Sequence, residues 1–257
     1  MGAREHELVV RGGTVVDGTG ADRWVADVAV DDGRITAVGE VAGSGREELD
    51  AEGLLVTPGW VDVHTHYDGQ VTWDPLLTPS SWQGVTTVVM GNCGVGFAPV
   101  KPDRHDWLIA LMEGVEDIPG TALAEGISWG WESFPEYLDV IEGLPHAVDV
   151  AAQVPHAALR GYVMGDRGAD HEAVPTPEEI ETMGRLAADG IRAGALGFST
   201  SRTVNHRSSD GRPTPSLTAT ADELLGIARG VGGTWGRRAG ACCSWSPTWS
   251  TWRASSP

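Results

Sequence analysis

The sequence predicts an α/β chain in which a small β unit precedes the first half of a (β/α)8 barrel. Three observations point to this architecture. Residues 7–57 alternate apolar and polar positions between tight turns. From Pro58 onward, continuous apolar runs alternate with amphipathic stretches. Four such strand–helix units fill residues 59–233 of a 257-residue chain, whereas a complete barrel by itself takes about 250 residues. Hydrophobic residues make up 41% and charged residues 21%, a balance that supports a packed core rather than wholesale disorder.

Taken in order, ELVVRGGTVVDG, ADVAVDDGRITAVGE and EELDAEGLLVTPG read as short strands with glycine-containing turns between them. They predict an antiparallel β unit over residues 1–57 with one buried face. GWVDVHTH (59–66), GVTTVVMGNCG (84–94), VDVAAQVPH (148–156) and GALGFSTS (194–201) are the next strands. Their continuous apolar character suits a parallel sheet buried on both faces. The clearest helix covers 177–193. Thr176 is its N-cap, Pro177 its first residue and Glu179 the partner in a capping box, with Ile180, Met183, Ala187 and Ile191 along one face. A second helix starts after Ser133 and a third after Thr220, with Glu223 three residues on. The barrel segment thus runs over 58–231.

Charge and composition exclude several function classes. The formal net charge is −18, from 36 acidic and 18 basic residues, so nucleic acid and anionic membranes would be repelled. No apolar run reaches the roughly 20 residues of a membrane span, and MGAREHELVV does not have the form of a signal peptide. Three cysteines, two of them adjacent, make no disulfide framework, which predicts a cytoplasmic setting.

The chemistry-bearing feature is Val61-Asp62-Val63-His64-Thr65-His66-Tyr67-Asp68, directly after Thr57-Pro58-Gly59. Side chains alternate along an extended chain, so His64 and His66 share a face. At the C-terminal end of a barrel strand they would point into the mouth, where barrel enzymes keep their sites. Neutral imidazoles there are good zinc ligands. An H-x-H pair alone also occurs on ordinary surfaces, but the Pro-Gly entry and the apolar strand favour metal binding. Cys93 ends the next apolar run at the same end of the neighbouring strand. A lone cysteine is usually a small core residue, yet this placement favours a thiolate ligand for the same ion.

These segments carry a family resemblance. PGWVDVHTHYDGQ followed by SWQGVTTVVMGNCGVGFAPV resembles the N-acyl-D-amino-acid deacylases (D-aminoacylases) of the amidohydrolase superfamily. HAALRGYVMGDRG (156–168) and GALGFSTSRTVNHR (194–207) extend the likeness, which covers roughly residues 6–231. The resemblance implies a β-sandwich subdomain beside a metal-dependent barrel, and zinc as cofactor. It implies that His64 and His66 hold the weaker metal position. Cys93 would bind the tightly held zinc, in place of the carboxylated lysine of other amidohydrolases. The catalytic aspartate and remaining histidine ligands belong to later strands, so no catalytic residue is assigned in this chain. The implied substrate is a small N-acyl amino acid, hydrolysed to a D-amino acid and a carboxylate.

Other residues are weaker candidates. Arg202 could clamp a substrate carboxylate, and an ion pair with a structural role is an equal alternative. Asp68 could orient a ligand histidine or be an ordinary loop acid. His156 could line the mouth. His206, followed by Ser-Ser-Asp-Gly, reads as an exposed loop residue, and His6, His105, His146 and His171 read as surface residues.

Residues 232–257 break the pattern. All the acids lie at or before Glu223, so residues 1–223 carry −22 while the last 34 carry four arginines and no acid. Residues 239–255, read one base earlier through a permissible codon choice, encode an acid-containing loop–strand sequence. The expectation is a truncated barrel with an out-of-frame or disordered tail, and no turnover by the 257-residue chain. Two competing readings stand beside it: a cyclic-amide hydrolase resembling dihydropyrimidinases or dihydroorotases, against which Cys93 argues, and a non-catalytic fragment or metal-binding module.

Overall fold

A computed structural model of the protein describes residues 5–116 and 118–235. The expectations for residues 236–257, including the Cys242-Cys243 pair, lie outside the described residues. The described chain divides into two units, 5–59 and 60–235.

The first unit is one five-stranded mixed sheet. Strands β1 (Glu5–Val15), β2 (Trp24–Asp31) and β3 (Arg34–Gly39) form an antiparallel meander. Asp32 and Gly33, both at positive φ, close the β2–β3 hairpin, a conformation Asp-Gly adopts readily. The expectation of a purely antiparallel unit is corrected on the other edge, where β4 (Ser44–Asp50) and β5 (Leu55–Val56) run parallel to β1. The 40–43 connection explains the reversal, because its Val41 packs with Val9 and Ala29 of the sheet. The chain thereby returns across the sheet and enters beside the start of β1. Arg11 fastens this crossing, donating to Val41 O at 3.0 Å and Gly43 O at 2.6 Å while pairing with Asp27 and Glu48.

The second unit is built on a four-stranded parallel sheet in chain order: β6 (Trp60–Asp62), β7 (Val85–Met90), β8 (Asp149–Pro155) and β9 (Gly197–Ser199). Helices α1 (His105–Glu116), α2 (Gly120–Gly126) and α3 (Phe134–Glu142) lie between β7 and β8. Helices α4 (His156–Met164) and α5 (Pro177–Ala193) lie between β8 and β9, and α6 (Ala221–Trp235) follows. Both α3 and α5 begin with the reciprocal capping box that their sequences predict, Ser133 with Glu136 and Thr176 with Glu179. Between β6 and β7 the chain forms two 3₁₀ turns, Gln70–Thr72 and Ser80–Gln83, in place of an α-helix. Pro75 and Pro79 in this segment remove backbone donors that a helix would need.

The core of this unit joins the central strands to the helices. Val88 and Met90 of β7 and Val154 of β8 are fully buried, in one cluster with Leu108 and Met112 of α1, Tyr137 of α3 and Met183 of α5. The expectation that every strand is buried on both faces fails at β6. As the edge strand it leaves Trp60 61% and Val61 50% exposed. No helix among the described residues is long and apolar enough to cross a membrane.

Candidate metal centre

The parallel strands set the site by where they stop. β6 ends at Asp62, and the chain carries His64, Thr65 and His66 past its C-terminal edge. Thr65 is held to the neighbouring strand, its backbone N and Oγ1 both donating to Val89 O, at 2.9 and 2.8 Å. The histidines on either side therefore project together, with ring centroids 5.4 Å apart. At the end of β7 the chain turns sharply through Gly91, Cys93 and Gly94, all in the left-handed region with φ of 75°, 54° and 72°. Glycine is required at the first of these, because a Cβ on Gly91 would run into the Gln153 carbonyl of β8. Cys93 takes the same conformation as a non-glycine residue, a local cost that strands on both sides must hold in place.

His64, His66 and Cys93 each offer one donor atom, and all three atoms lie within 4.8 Å of one another. Cys93 Sγ is 3.3 Å from His64 Nε2. His64 is exposed while His66 and Cys93 are half-buried, so the cluster opens to solvent on one side. His66 Nδ1 is buried and has no hydrogen-bond partner among the described residues, a polar atom that a bound cation would satisfy. Two imidazoles and a thiol form a donor set suited to zinc, so the residues present fit that ion.

Electrostatics at the cluster reflect burial first. Burial, helped by the neighbouring His64 and His206, holds His66 down to about 4, so its ring is neutral at physiological pH. Burial also raises the Cys93 thiol, and the carboxylates of Glu116 and Asp68 add to this. A cation here would reverse that balance and favour the thiolate. Burial pushes Asp68 up to about 8. The residue is 2% exposed, and its Oδ2 has no hydrogen-bond partner among the described residues.

Several candidates sit differently from the sequence expectations. The carboxylate that approaches a histidine of the cluster is Glu116, at the end of α1, with Oε1 3.3 Å from His66 Nε2. Asp68 makes no such contact among the described residues. Nothing in the sequence marks Glu116, since a helix-terminal acid is an ordinary surface feature. Arg202 is exposed, with no ion pair among the described residues. His206 is half-buried rather than an exposed loop residue, and burial first, then the neighbouring His64, lowers its pKa. His156 does not open to the mouth. It is fully buried, with Nδ1 2.8 Å from Thr200 Oγ1 and Nε2 3.0 Å from Glu223 Oε1. Of the histidines read as surface residues, His6 is 8% exposed and bonded to Asp31 at 2.8 Å. His105 stacks on Trp129 with centroids 3.6 Å apart, and His146 contacts Val71 O at 2.9 Å.

Comparison with known proteins adds the family context. The sequence profile described as the amidohydrolase family matches residues 47–251. A D-aminoacylase of Alcaligenes xylosoxydans xylosoxydans is 34% identical over 228 residues, covering 88% of this chain and 42% of that protein. A solved D-aminoacylase structure, whose study concerns a binuclear metal centre with one-metal activation and second-metal attenuation, superposes with a TM-score of 0.70 at 36% identity. It covers 89% of this chain and 44% of its own. An N-acyl-D-glutamate deacylase from Bordetella bronchiseptica, complexed with zinc and a phosphonate mimic of the tetrahedral intermediate, gives a TM-score of 0.66 at 34% identity. There the coverage is 90% of this chain and 44% of that one. The chain thus spans less than half the length of the relatives it matches.

Proposed function

This chain belongs to the amidohydrolase family, and from that premise we propose that His64, His66 and Cys93 hold a zinc ion in a site built for hydrolysing N-acyl-D-amino acids. The observation that carries the reading is the convergence of two imidazoles and one thiol beyond the ends of two adjacent parallel strands. Its relatives with named activities at 34–36% identity are deacylases of this kind. Zinc held there would lower the pKa of a bound water to about 7 and polarise the scissile carbonyl.

The chain's own residues have separate tasks in this proposal. His66, neutral across the physiological range, is available as a ligand without first losing a proton. Glu116 accepts from the His66 ring and fixes its orientation, a task for which the sequence offered Asp68 as one of two readings. Arg202, exposed and without an ion pair among the described residues, is a cation available to the substrate carboxylate. The 257-residue chain itself is proposed to bind zinc without deacylation. His64 of the cluster is exposed, and β6 and β9 are the outer strands of the parallel sheet among the described residues. Water exclusion and the positioning of a proton-carrying carboxylate need more enclosure than this.

The test has two arms. The purified chain should take up zinc, measured by elemental mass spectrometry, and release no amino acid from N-acetyl-D-amino acids. The polypeptide encoded by the frame one base earlier beyond residue 238 should deacylate N-acetyl-D-amino acids in preference to cyclic ureides. Turnover by the 257-residue chain would overturn the first statement, and a preference for cyclic ureides the second.

A further inference from the structure

The turn that carries Cys93 is pinned by the buried Asn92 and by the half-buried Gln153 of β8 and Ser199 of β9, and one amide connects it to the histidine pair. Asn92 is 7% exposed. Its Nδ2 donates to Val89 O at 2.8 Å and to Thr65 O at 3.2 Å, and its Oδ1 accepts from Gln153 Nε2 at 2.8 Å. Thr65 is the residue between the two histidines, and Asn92 is the residue before the cysteine. The Val89 carbonyl collects donors from Thr65 N, Thr65 Oγ1 and Asn92 Nδ2. On the far side, Ser199 Oγ accepts from Gly94 N at 3.0 Å and donates to the Gly91 carbonyl. None of these side chains contributes a donor atom to the cluster.

We propose that Asn92, oriented by Gln153 of β8, is the positioning residue that sets the spacing between the Cys93 thiol and the His64–His66 pair. This rests on the metal-site reading above. A left-handed cysteine needs its turn held from outside, because the strand preference of its own backbone would swing the thiol away. The Asn92 amide answers that need, since one donor reaches the Thr65 carbonyl between the histidines, the other the Val89 carbonyl of β7, and its acceptor faces the next strand. The Thr65 and Val89 carbonyls exclude the flipped amide, which would set Oδ1 against two acceptors. A buried amide with every polar atom matched fixes one geometry.

The test uses the 257-residue chain titrated with Co(II) alone, followed by optical absorption. The wild-type chain should show a thiolate-to-cobalt charge-transfer band. Asn92→Ala and Gln153→Leu should bind Co(II) roughly 10- to 100-fold more weakly. At saturating Co(II) the band should be weakened in both variants, while far-UV circular dichroism is unchanged. Gln153→Leu leaves the turn sequence intact and carries the test if Asn92→Ala is insoluble. Wild-type affinity and band in the variants would overturn the positioning role while leaving the metal site standing. A wild-type chain without any Co(II) band would overturn the metal-site reading, and the positioning role with it.

Discussion

Each residue of the candidate metal cluster is commonplace alone, and its place in the cluster comes from its position relative to a strand end. The convergence of His64 and His66 was legible because an H-x-H pair after an apolar strand has a fixed geometric consequence, and the approach of Cys93 because it ends the adjacent strand. Asn92, Gln153, Ser199 and Glu116 were not legible. Their parts depend on which strands become neighbours, and no local pattern encodes that. His6 shows the same limit in the first unit, where a residue with polar neighbours in sequence is buried against Asp31 from the next strand. The hydrogen bond from His6, with a second from Thr36, holds the Asp31 carboxyl down at about 2 against an ordinary 3.8. A depressed carboxylate stabilises the fold above its unfolded value and loses that contribution as pH falls through its folded value. Comparing denaturant midpoints of the wild type and Asp31→Asn should therefore show a constant deficit in the variant above about pH 5. The deficit should shrink between 3.8 and about 2. A deficit independent of pH over that window would show that the Asp31 charge is not what stabilises.

Helix α5 shows how much an element can reveal before any tertiary contact is known. Thr176, Pro177 and Glu179 fix its start, and Met183, Ala187 and Ile191 on the predicted face are buried. Helix α3 was legible for the same reason. Helices α1, α2 and α4 carry no such capping signature: α2 and α4 have no side-chain cap bond, and α4 begins directly after the last residue of β8. In α6 the third residue after Thr220 looks like a capping glutamate, but Glu223 is drawn elsewhere. Its carboxylate is fully buried, 2.5 and 2.7 Å from Arg160 Nη1 of α4 and 3.0 Å from His156 Nε2. Burial opposes its ionisation, yet the His156 bond and the Arg160 charge prevail and hold its pKa below the usual value. Breaking one side of a buried pair strands the other charge, so Glu223→Gln should cost about 3–5 kcal/mol in thermal or denaturant unfolding. Replacing both partners, as Arg160→Met with Glu223→Leu, should recover most of that loss. A single variant within about 0.5 kcal/mol of wild type would show the network to be dispensable.

At the scale of the molecule, the sequence predicted a β unit followed by parallel βα units, and the described residues form a five-stranded mixed sheet and a four-stranded parallel sheet. The parallel order was legible because continuous apolar runs spaced by helices leave little alternative. The parallel return of β4 beside β1 was not, since it depends on a four-residue crossing that packs only Val41 onto the sheet. Among the described residues β6 and β9 are the outer strands of the parallel sheet, and the two relatives are more than twice as long as the match. The account stands on a single three-donor centre formed across two adjacent strands. X-ray absorption at the zinc edge of the zinc-loaded chain tests it most directly. The expected shell has one sulfur at about 2.3 Å and imidazole nitrogens at about 2.0–2.1 Å, with the sulfur lost in Cys93→Ser. A shell of light atoms alone, or a sulfur that persists in Cys93→Ser, would contradict it.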